Sequence, residues 1–186
     1  MDNPHISQAK LDRGYFQVYT GEGKGKTTAA LGLCLRALGA GFRVYFGQFI
    51  KSGRYSEIEA LEVLCEALGG NLAVRQFGLG RLIRNGPSPE DLAAAREGLA
   101  EARAALVSGN WDLVVLDELN VAAHIGLATE QDILDLAGAR PAGVELVVTG
   151  RDATAAVIES ADLVTEMRPI RHYYDRGVMA RKGIES

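Results

Sequence analysis

Apolar positions follow two rhythms that alternate along the chain. Short runs, either of period two or continuously apolar, occupy 15–20, 42–50, 72–77, 112–117, 144–149 and 162–167. Between them, over 27–39, 56–68, 88–108, 119–138 and 153–160, apolar residues recur every three or four positions. The first rhythm predicts strands and the second helices. Leu113-Val114-Val115-Leu116 and Leu146-Val147-Val148 are apolar throughout, as strands covered on both faces are. The 88–108 segment has the clearest helix start: Ser88 suits the N-cap, Pro89 the first helical position, and Glu90 and Asp91 complement the dipole. Leu92, Ala95, Leu99, Ala102 and Leu106 then share one face. Thr129, followed by Glu130, Gln131 and Asp132, carries another start signal within or after the 119–138 segment. Strand and helix alternating from end to end predict an α/β chain, a three-layer α/β/α domain with a mostly parallel sheet and right-handed crossovers. Ligands in such sheets bind beyond the carboxyl ends of the strands. The domain is expected over 14–186, and the polar start, 1–13, reads as a flexible arm.

Bulk properties narrow the function classes. A chain of 186 residues suits one domain with a full core. Its formal net charge of −4 argues against a dedicated nucleic-acid surface, while leaving room for a local basic pocket around one polyphosphate. No apolar run reaches membrane-spanning length and the start lacks the apolar centre of a signal peptide, so the cytoplasm is the expected compartment. Cys34 and Cys65 lie in separate helical segments and are expected as buried, reduced thiols. His5 and His124 make no metal-ligand spacing, so no metal beyond Mg²⁺ is indicated.

Thr20-Gly21-Glu22-Gly23-Lys24-Gly25-Lys26-Thr27-Thr28 follows the first strand and opens the first helix. Strand, glycine-rich turn and helix start together form the setting in which backbone N–H groups and a helix dipole hold phosphate. Gly21, Gly23 and Gly25 permit the backbone conformations a tight cradle needs. Lys26, read as a solvent-facing loop lysine, supplies a compact positive charge, and Thr27 a hydroxyl suited to Mg²⁺. The general phosphate-loop pattern has a glycine where Thr20 stands; here it comes one residue late, at Gly21.

A second acidic element follows the fourth strand. Asp117 and Glu118 close an aliphatic run at the edge of the sheet where the glycine loop falls, in position to hold Mg²⁺ or orient a nucleophile. Arg151, just past the fifth strand, is placed to stabilise a terminal phosphate or to be a solvated loop residue. The stretch Arg168 to Lys182 gathers Arg168, Arg171, His172, Tyr173, Tyr174, Arg176, Arg181 and Lys182. It either faces a polyanion or a large planar ligand, or is a solvated tail with its tyrosines packed on the core.

These segments resemble the ATP:corrinoid adenosyltransferases of the phosphate-loop type. The resemblance runs from about Gly14 onward and takes in the glycine loop, whose late first glycine is the family's form. It continues through Gln48-Phe49-Ile50-Lys51, Val114 to Leu119, Ala139-Arg140-Pro141 and Thr149-Gly150-Arg151. Arg168-Pro169-Ile170-Arg171-His172 and Asp175-Arg176-Gly177 are its most specific part, since generic phosphate-loop proteins do not share them.

The resemblance implies a RecA-like phosphate-loop domain and a particular reaction. A corrinoid with cobalt as Co(I) attacks the 5′ carbon of ATP, an adenosylcorrinoid forms, and tripolyphosphate leaves. ATP lies along the loop in the reverse sense, with its ribose carbon toward the corrinoid. ATP, Mg²⁺ and the corrinoid are the implied ligands, a reductase a possible partner, and the molecule a homodimer whose N-terminal arm covers the other subunit's site. Lys26, Glu118 and Arg151 are implied as catalytic, Gly21 to Thr28 as the ATP loop, and Thr27, Glu118 and Asp117 as the metal set. Gln48, Lys51, Phe77, Leu79 and Arg81 fall to the corrinoid. In the best-known branch a Gly-Phe-Thr-Trp segment displaces the corrinoid's lower axial ligand. Here the stretch reads Phe77-Gly78-Leu79-Gly80-Arg81-Leu82-Ile83, with Leu79 and Arg81 where the aromatics would be unless Phe77 takes over. A small-molecule kinase, an ATPase and a nucleotide-sensing module are the competing readings of the loop alone.

Overall fold

The computed structural model describes residues 10–81, 83 and 86–185. Its strands are β1 (Phe16–Thr20), β2 (Val44–Phe49), β3 (Leu72–Phe77), β4 (Leu113–Asp117), β5 (Glu145–Thr149) and β6 (Leu163–Glu166). Its helices are α1 (Lys26–Gly39), α2 (Ser56–Ala67), α3 (Pro89–Val107), α4 (Leu119–His124), α5 (Glu130–Ala139) and α6 (Ala155–Ser160). A 3₁₀ turn follows at Tyr173–Arg176. The strands form one parallel sheet in the order β3-β2-β4-β5-β1-β6.

The helix expected over 119–138 is two helices. Two signals compete inside that segment and both act. Gly126 turns the chain with φ 81, and Thr129 and Asp132 then form a reciprocal capping box that starts α5. Ser88 and Asp91 do the same for α3.

Each face of the sheet takes its own helices. Ala30, Cys34, Ala37 and Leu38 of α1 and Ile58 and Leu61 of α2 pack on Val44, Phe46, Leu113, Val115 and Val147. On the other face Ala95, Ala102 and Leu106 of α3, with Leu119, Ile133, Leu136 and Val157, cover Phe16, Val18, Tyr45, Phe49, Val114 and Leu146. The two strands with continuous aliphatic runs, β4 and β5, are buried on both faces, and so is β2, whose run Val44 to Phe49 mixes aromatic and polar residues. Cys34 lies in the first layer, and burial pushes its thiol up to about 12, which leaves it unreactive. Cys65, expected buried, is half-buried. No described helix is long and apolar enough to cross a membrane.

Strand order sets the site. Because β5 separates β1 from β4, the glycine loop and the acidic corner stand two strand spacings apart, roughly 10 Å. The residues after β5 rise between them.

At the opposite edge of the sheet Arg140 staples the start of β1. Its Nη1 donates to Gly14 O and Val144 O, both at 2.8 Å, and Nη2 lies 3.9 Å from Asp162. Gly14 passes so close that a Cβ there would sit 2.1 Å from Val144 O. Arg140→Ala strands these carbonyls, and we expect it to cost about 2–4 kcal/mol. The measurement is urea unfolding, where the midpoint should fall at unchanged slope; an unmoved midpoint would show the staple to be idle.

Candidate active site

The loop after β1 turns at Gly21 (φ 94) and Gly25 (φ 115), conformations that favour glycine. It also presses on the chain leaving β6. A Cβ on Gly21 or Gly23 would lie 2.6 or 2.7 Å from Met167 O, and Gly23 N donates to that same carbonyl at 2.6 Å. Glycine therefore serves close approach as well as conformation. No acidic residue occupies the first turn of α1, so its positive end is left for an anion. Lys26 is not the solvent-facing lysine expected: it is 8% exposed, and Nζ donates to Gly21 O at 2.6 Å and Gly23 O at 2.7 Å. Burial, then Arg151, lowers its pKa, against the pull of Glu118, Glu22 and Asp117.

A cleft of about 1270 Å³ opens over this loop. Glu22, Gly23, Lys24, Gly25, Lys26, Thr27, Thr28, Lys51, Glu118 and Arg151, all picked out from the sequence, line it. Gly21 lies behind them against Met167. The volume exceeds the roughly 300–1,000 Å³ typical of a pocket for one small ligand, which suits two substrates.

Glu118 caps α4 with φ 60, a left-handed conformation rare outside glycine, and its N–H donates to Thr149 Oγ1 at 3.0 Å. Burial, then the neighbouring Asp117, raises its pKa, while Lys51, Lys26 and Arg151 oppose the rise. Lys51 Nζ stands 3.7 Å from Glu118. It is aimed by a tight turn in which Lys51 N donates to Phe49 O at 2.6 Å across Ile50, itself at φ 67. Arg151 reaches across to Glu22 at 3.5 Å.

The far wall is the stretch the sequence left between two readings. Pro169, Ile170, Arg171, His172 and Tyr174 face the cleft, and the chain then folds back so that Gly183, Ile184 and Glu185 line it too. Lys24 ties loop to tail: Nζ donates to Ile184 O at 2.8 Å and lies 3.6 Å from Glu185. Glu185 also accepts from Tyr173 and from Arg181, whose hydrogen bonds hold its pKa near 2. Ser56 and Glu57, at the start of α2, complete the lining without having given a sequence signal of their own.

The Glu185 latch has a signed pH dependence. Its folded pKa is depressed, so its contribution is present above the ordinary value of 4.5 and lost as pH falls toward about 2. Glu185→Gln should mimic the acid state at neutral pH, with faster proteolysis within residues 168–185. Cleavage at the unaltered rate would show that the latch does not hold the tail.

Three expected residues sit below the cleft or beside it. Asp117 is fully buried and absent from the lining; its oxygens accept from Gln48 Nε2 at 2.9 Å and Thr149 Oγ1 at 2.6 Å. Gln48, expected at the corrinoid, is equally buried, and its carbonyl accepts from Gln76 Nε2 at 2.9 Å. Phe77 turns inward: its ring packs tilted against Phe49, with centroids 5.3 Å apart, and fills the space left by Gly98, where a Cβ would meet the ring at 2.5 Å.

Residues 12–186 match the family ATP:corrinoid adenosyltransferase BtuR/CobO/CobP. The chain belongs to this family. Its reaction is therefore transfer of the adenosyl group of ATP to a corrinoid, and the protein is an enzyme. It is 37% identical to the corrinoid adenosyltransferase of Pseudomonas aeruginosa over 180 residues, covering 97% of this chain and 87% of that protein. The corrinoid adenosyltransferase of Escherichia coli (strain K12) is also 37% identical, covering 97% of this chain and 89% of its own. Corrinoid adenosyltransferase CobA of Salmonella typhimurium is 35% identical with the same coverage, 97% and 89%. Among solved structures, flagellar accessory protein FlaH from Methanocaldococcus jannaschii matches with a TM-score of 0.58 over 87% of this chain and 74% of that one. At 11% identity that likeness is one of fold.

In this adenosyltransferase the loop after β3 differs from the aromatic segment described above. Leu79 is 46% exposed and borders a narrow crevice with Ile50, Phe77, Arg81, Asp91 and Leu127. Arg81 is tied to the start of α3, donating to Asp91 at 3.0 Å and Ser88 at 2.6 Å. Ile50 lines both crevice and cleft, so the loop adjoins the cleft across that residue. Leu82 lies outside the described residues.

Proposed function

We propose that the cleft holds ATP on the glycine loop and a Co(I) corrinoid beside it, and that cobalt attacks the ribose 5′ carbon in line. Cobalt supplies the electron pair of the new cobalt–carbon bond. The C5′–O bond breaks, and tripolyphosphate leaves with the bonding electrons. The carrying observation is convergence: Lys26, Thr27, Lys51, Glu118 and Arg151, from beyond the carboxyl ends of four different strands, meet in one cleft with room for two ligands. A nucleophile as strong as Co(I) needs no protein base. The protein's tasks are alignment, exclusion of water and stabilisation of the negative charge that grows on the leaving oxygen.

Lys26, the loop amides and Arg151 serve that charge. For Mg²⁺ the donor set is small. Among the described residues no cluster of three or more acidic, His or Cys side chains forms a metal site. Thr27 and Glu118 offer one hydroxyl and one carboxylate to the cleft. That set fits an ion that arrives on substrate phosphates and keeps several waters, whose charge would offset that of the phosphates. Asp117 acts on it from behind, through Thr149 and the Glu118 backbone. Lys51, Ile170 and Tyr174 face the corrinoid, with Leu79 at its outer rim. A reductase delivering Co(I), a cytoplasmic setting and a homodimer whose N-terminal arms cross complete the proposal. Residues 1–9 of that arm lie outside the described residues.

The test is anaerobic incubation with ATP, Mg²⁺ and chemically reduced cobalamin or cobinamide. The expected products are a light-sensitive adenosylcorrinoid and tripolyphosphate in equal amounts. ADP with an unchanged corrinoid would replace this reading with phosphoryl transfer or hydrolysis.

A further inference from the structure

Beneath the cleft runs a row of polar side chains, two amides, one carboxylate and one hydroxyl, whose amides the reaction leaves without a task. The register pairs Gln76 of β3 with Gln48 of β2, and Gln48 with Asp117 of β4. Leu116 pairs with Val148, so Asp117 and Thr149 of β5 come next. All four side chains point to the α1 face at the carboxyl end of their strands. Gln76 Nε2 donates to Gln48 Oε1 at 2.9 Å, and Gln48 Nε2 to Asp117 Oδ2 at 2.9 Å. From the other side Glu118 N donates to Thr149 Oγ1 at 3.0 Å, and Thr149 Oγ1 to Asp117 Oδ1 at 2.6 Å. The two arms meet on one carboxylate. Gln48, Asp117 and Thr149 are each 0% exposed.

Both ends of the row emerge at the cleft. One is Glu118 itself. The other is the loop that carries Lys51, where Gly53 N donates to Gln76 Oε1 at 3.3 Å. Both corners are strained, with φ 60 at Glu118 and φ 67 at Ile50 beside Lys51. A left-handed non-glycine residue costs about 1–2 kcal/mol and persists only where its surroundings hold it. Above the row Lys51 and Glu118 meet at 3.7 Å, which closes a ring. Gln48 sits at its hinge. Only one orientation of its amide accepts from Gln76 and donates to Asp117 at once.

We propose that Gln48 is a positioning residue, which through Asp117 and Thr149 holds Glu118, and through Gln76 holds the loop of Lys51, at a set spacing in the cleft. It touches neither substrate. The inference rests on the cleft being the site for Mg²⁺ and ATP.

Gln48→Met keeps the length of the side chain and removes both the donor and the acceptor of its amide. We expect it to raise the Mg²⁺ concentration that half-saturates ATP binding about ten-fold, and to lower kcat ten- to a hundred-fold at little-changed KM for the corrinoid. Gln76→Met, at the half-buried end, should move both in the same direction by a few-fold. Binding is read by calorimetry with ATP and Mg²⁺ alone. A failure of the adenosyl-transfer reading would therefore show as wild-type protein that binds ATP but forms no adenosylcorrinoid, and the binding comparison would still decide this proposal. A Gln48→Met protein that melts earlier yet binds and turns over as wild type would make the row merely structural. If Gln48→Met does not fold, Gln76→Met decides, and wild-type binding and turnover there overturn the proposal.

Discussion

Lys26→Ala is expected to lower kcat at least about a hundred-fold, the usual cost of deleting one preorganised charge at a developing anion. The loss should fall on kcat more than on KM for the corrinoid, because charge grows on the leaving oxygen only as the C5′–O bond breaks. Lys26→Arg should not restore turnover. A planar guanidinium cannot occupy the niche where Nζ meets Gly21 O at 2.6 Å and Gly23 O at 2.7 Å. Stability bears on this variant because Lys26 is 8% exposed. Two charge-assisted bonds to loop carbonyls are lost, while a cation whose pKa burial and Arg151 already lower is relieved. The balance is about 1–2 kcal/mol against the variant, a fall in Tm of a few degrees for a chain of this length. Turnover within a few-fold of wild type in a folded Lys26→Ala protein would remove the loop from the mechanism.

The sheet and its layers were legible because each strand announced its burial. Continuous aliphatic runs such as Leu113 to Leu116 became central strands, and the expected boundaries fell within two residues of the observed ones. The segment over 119–138 misled because its apolar spacing stays helical across a turn. Only Gly126 and the Thr129–Asp132 box mark the break, and local capping outweighs periodicity there. Strand order was not legible at all, since nothing local says that β5 inserts between β1 and β4. That insertion brings Arg151 up between the glycine loop and Glu118.

Site residues divide by the same logic. Those just beyond the strands at the carboxyl edge, from Glu22 to Thr28 with Lys51, Glu118 and Arg151, line the cleft. Residues within the strands obey the two-residue alternation instead. Gln48 and Asp117 point to the α1 face and into the row beneath the site. Phe77 follows the alternation to the opposite face and packs on Phe49 and Gly98. Arg81 was invisible as a structural residue because its partners Ser88 and Asp91 read as a self-sufficient helix cap. The tail faced the cleft for a reason no local pattern records, the ties from Lys24 to Ile184 and Glu185.

Glu118→Gln carries the other large expected effect, and its sign differs between function and stability. The glutamine keeps shape and length but offers a neutral oxygen to a divalent cation, whose ligands are best supplied by carboxylates. The Mg²⁺ concentration for half-maximal turnover should therefore rise ten-fold or more, with kcat reduced at saturating Mg²⁺. Stability should move the other way. Burial and the adjacent Asp117 raise the pKa of Glu118, so the charged carboxylate is disfavoured by the fold at neutral pH, even with Lys51 at 3.7 Å. A neutral side chain escapes that penalty, and in metal-free buffer the variant should melt at or above the wild-type temperature. Melting scans with chelator, beside Mg²⁺ titrations of turnover, separate the two effects. An unchanged Mg²⁺ response would take Glu118 out of the metal's shell. A lower Tm without metal would mean that the Lys51 pair outweighs the cost of burying the charge beside Asp117.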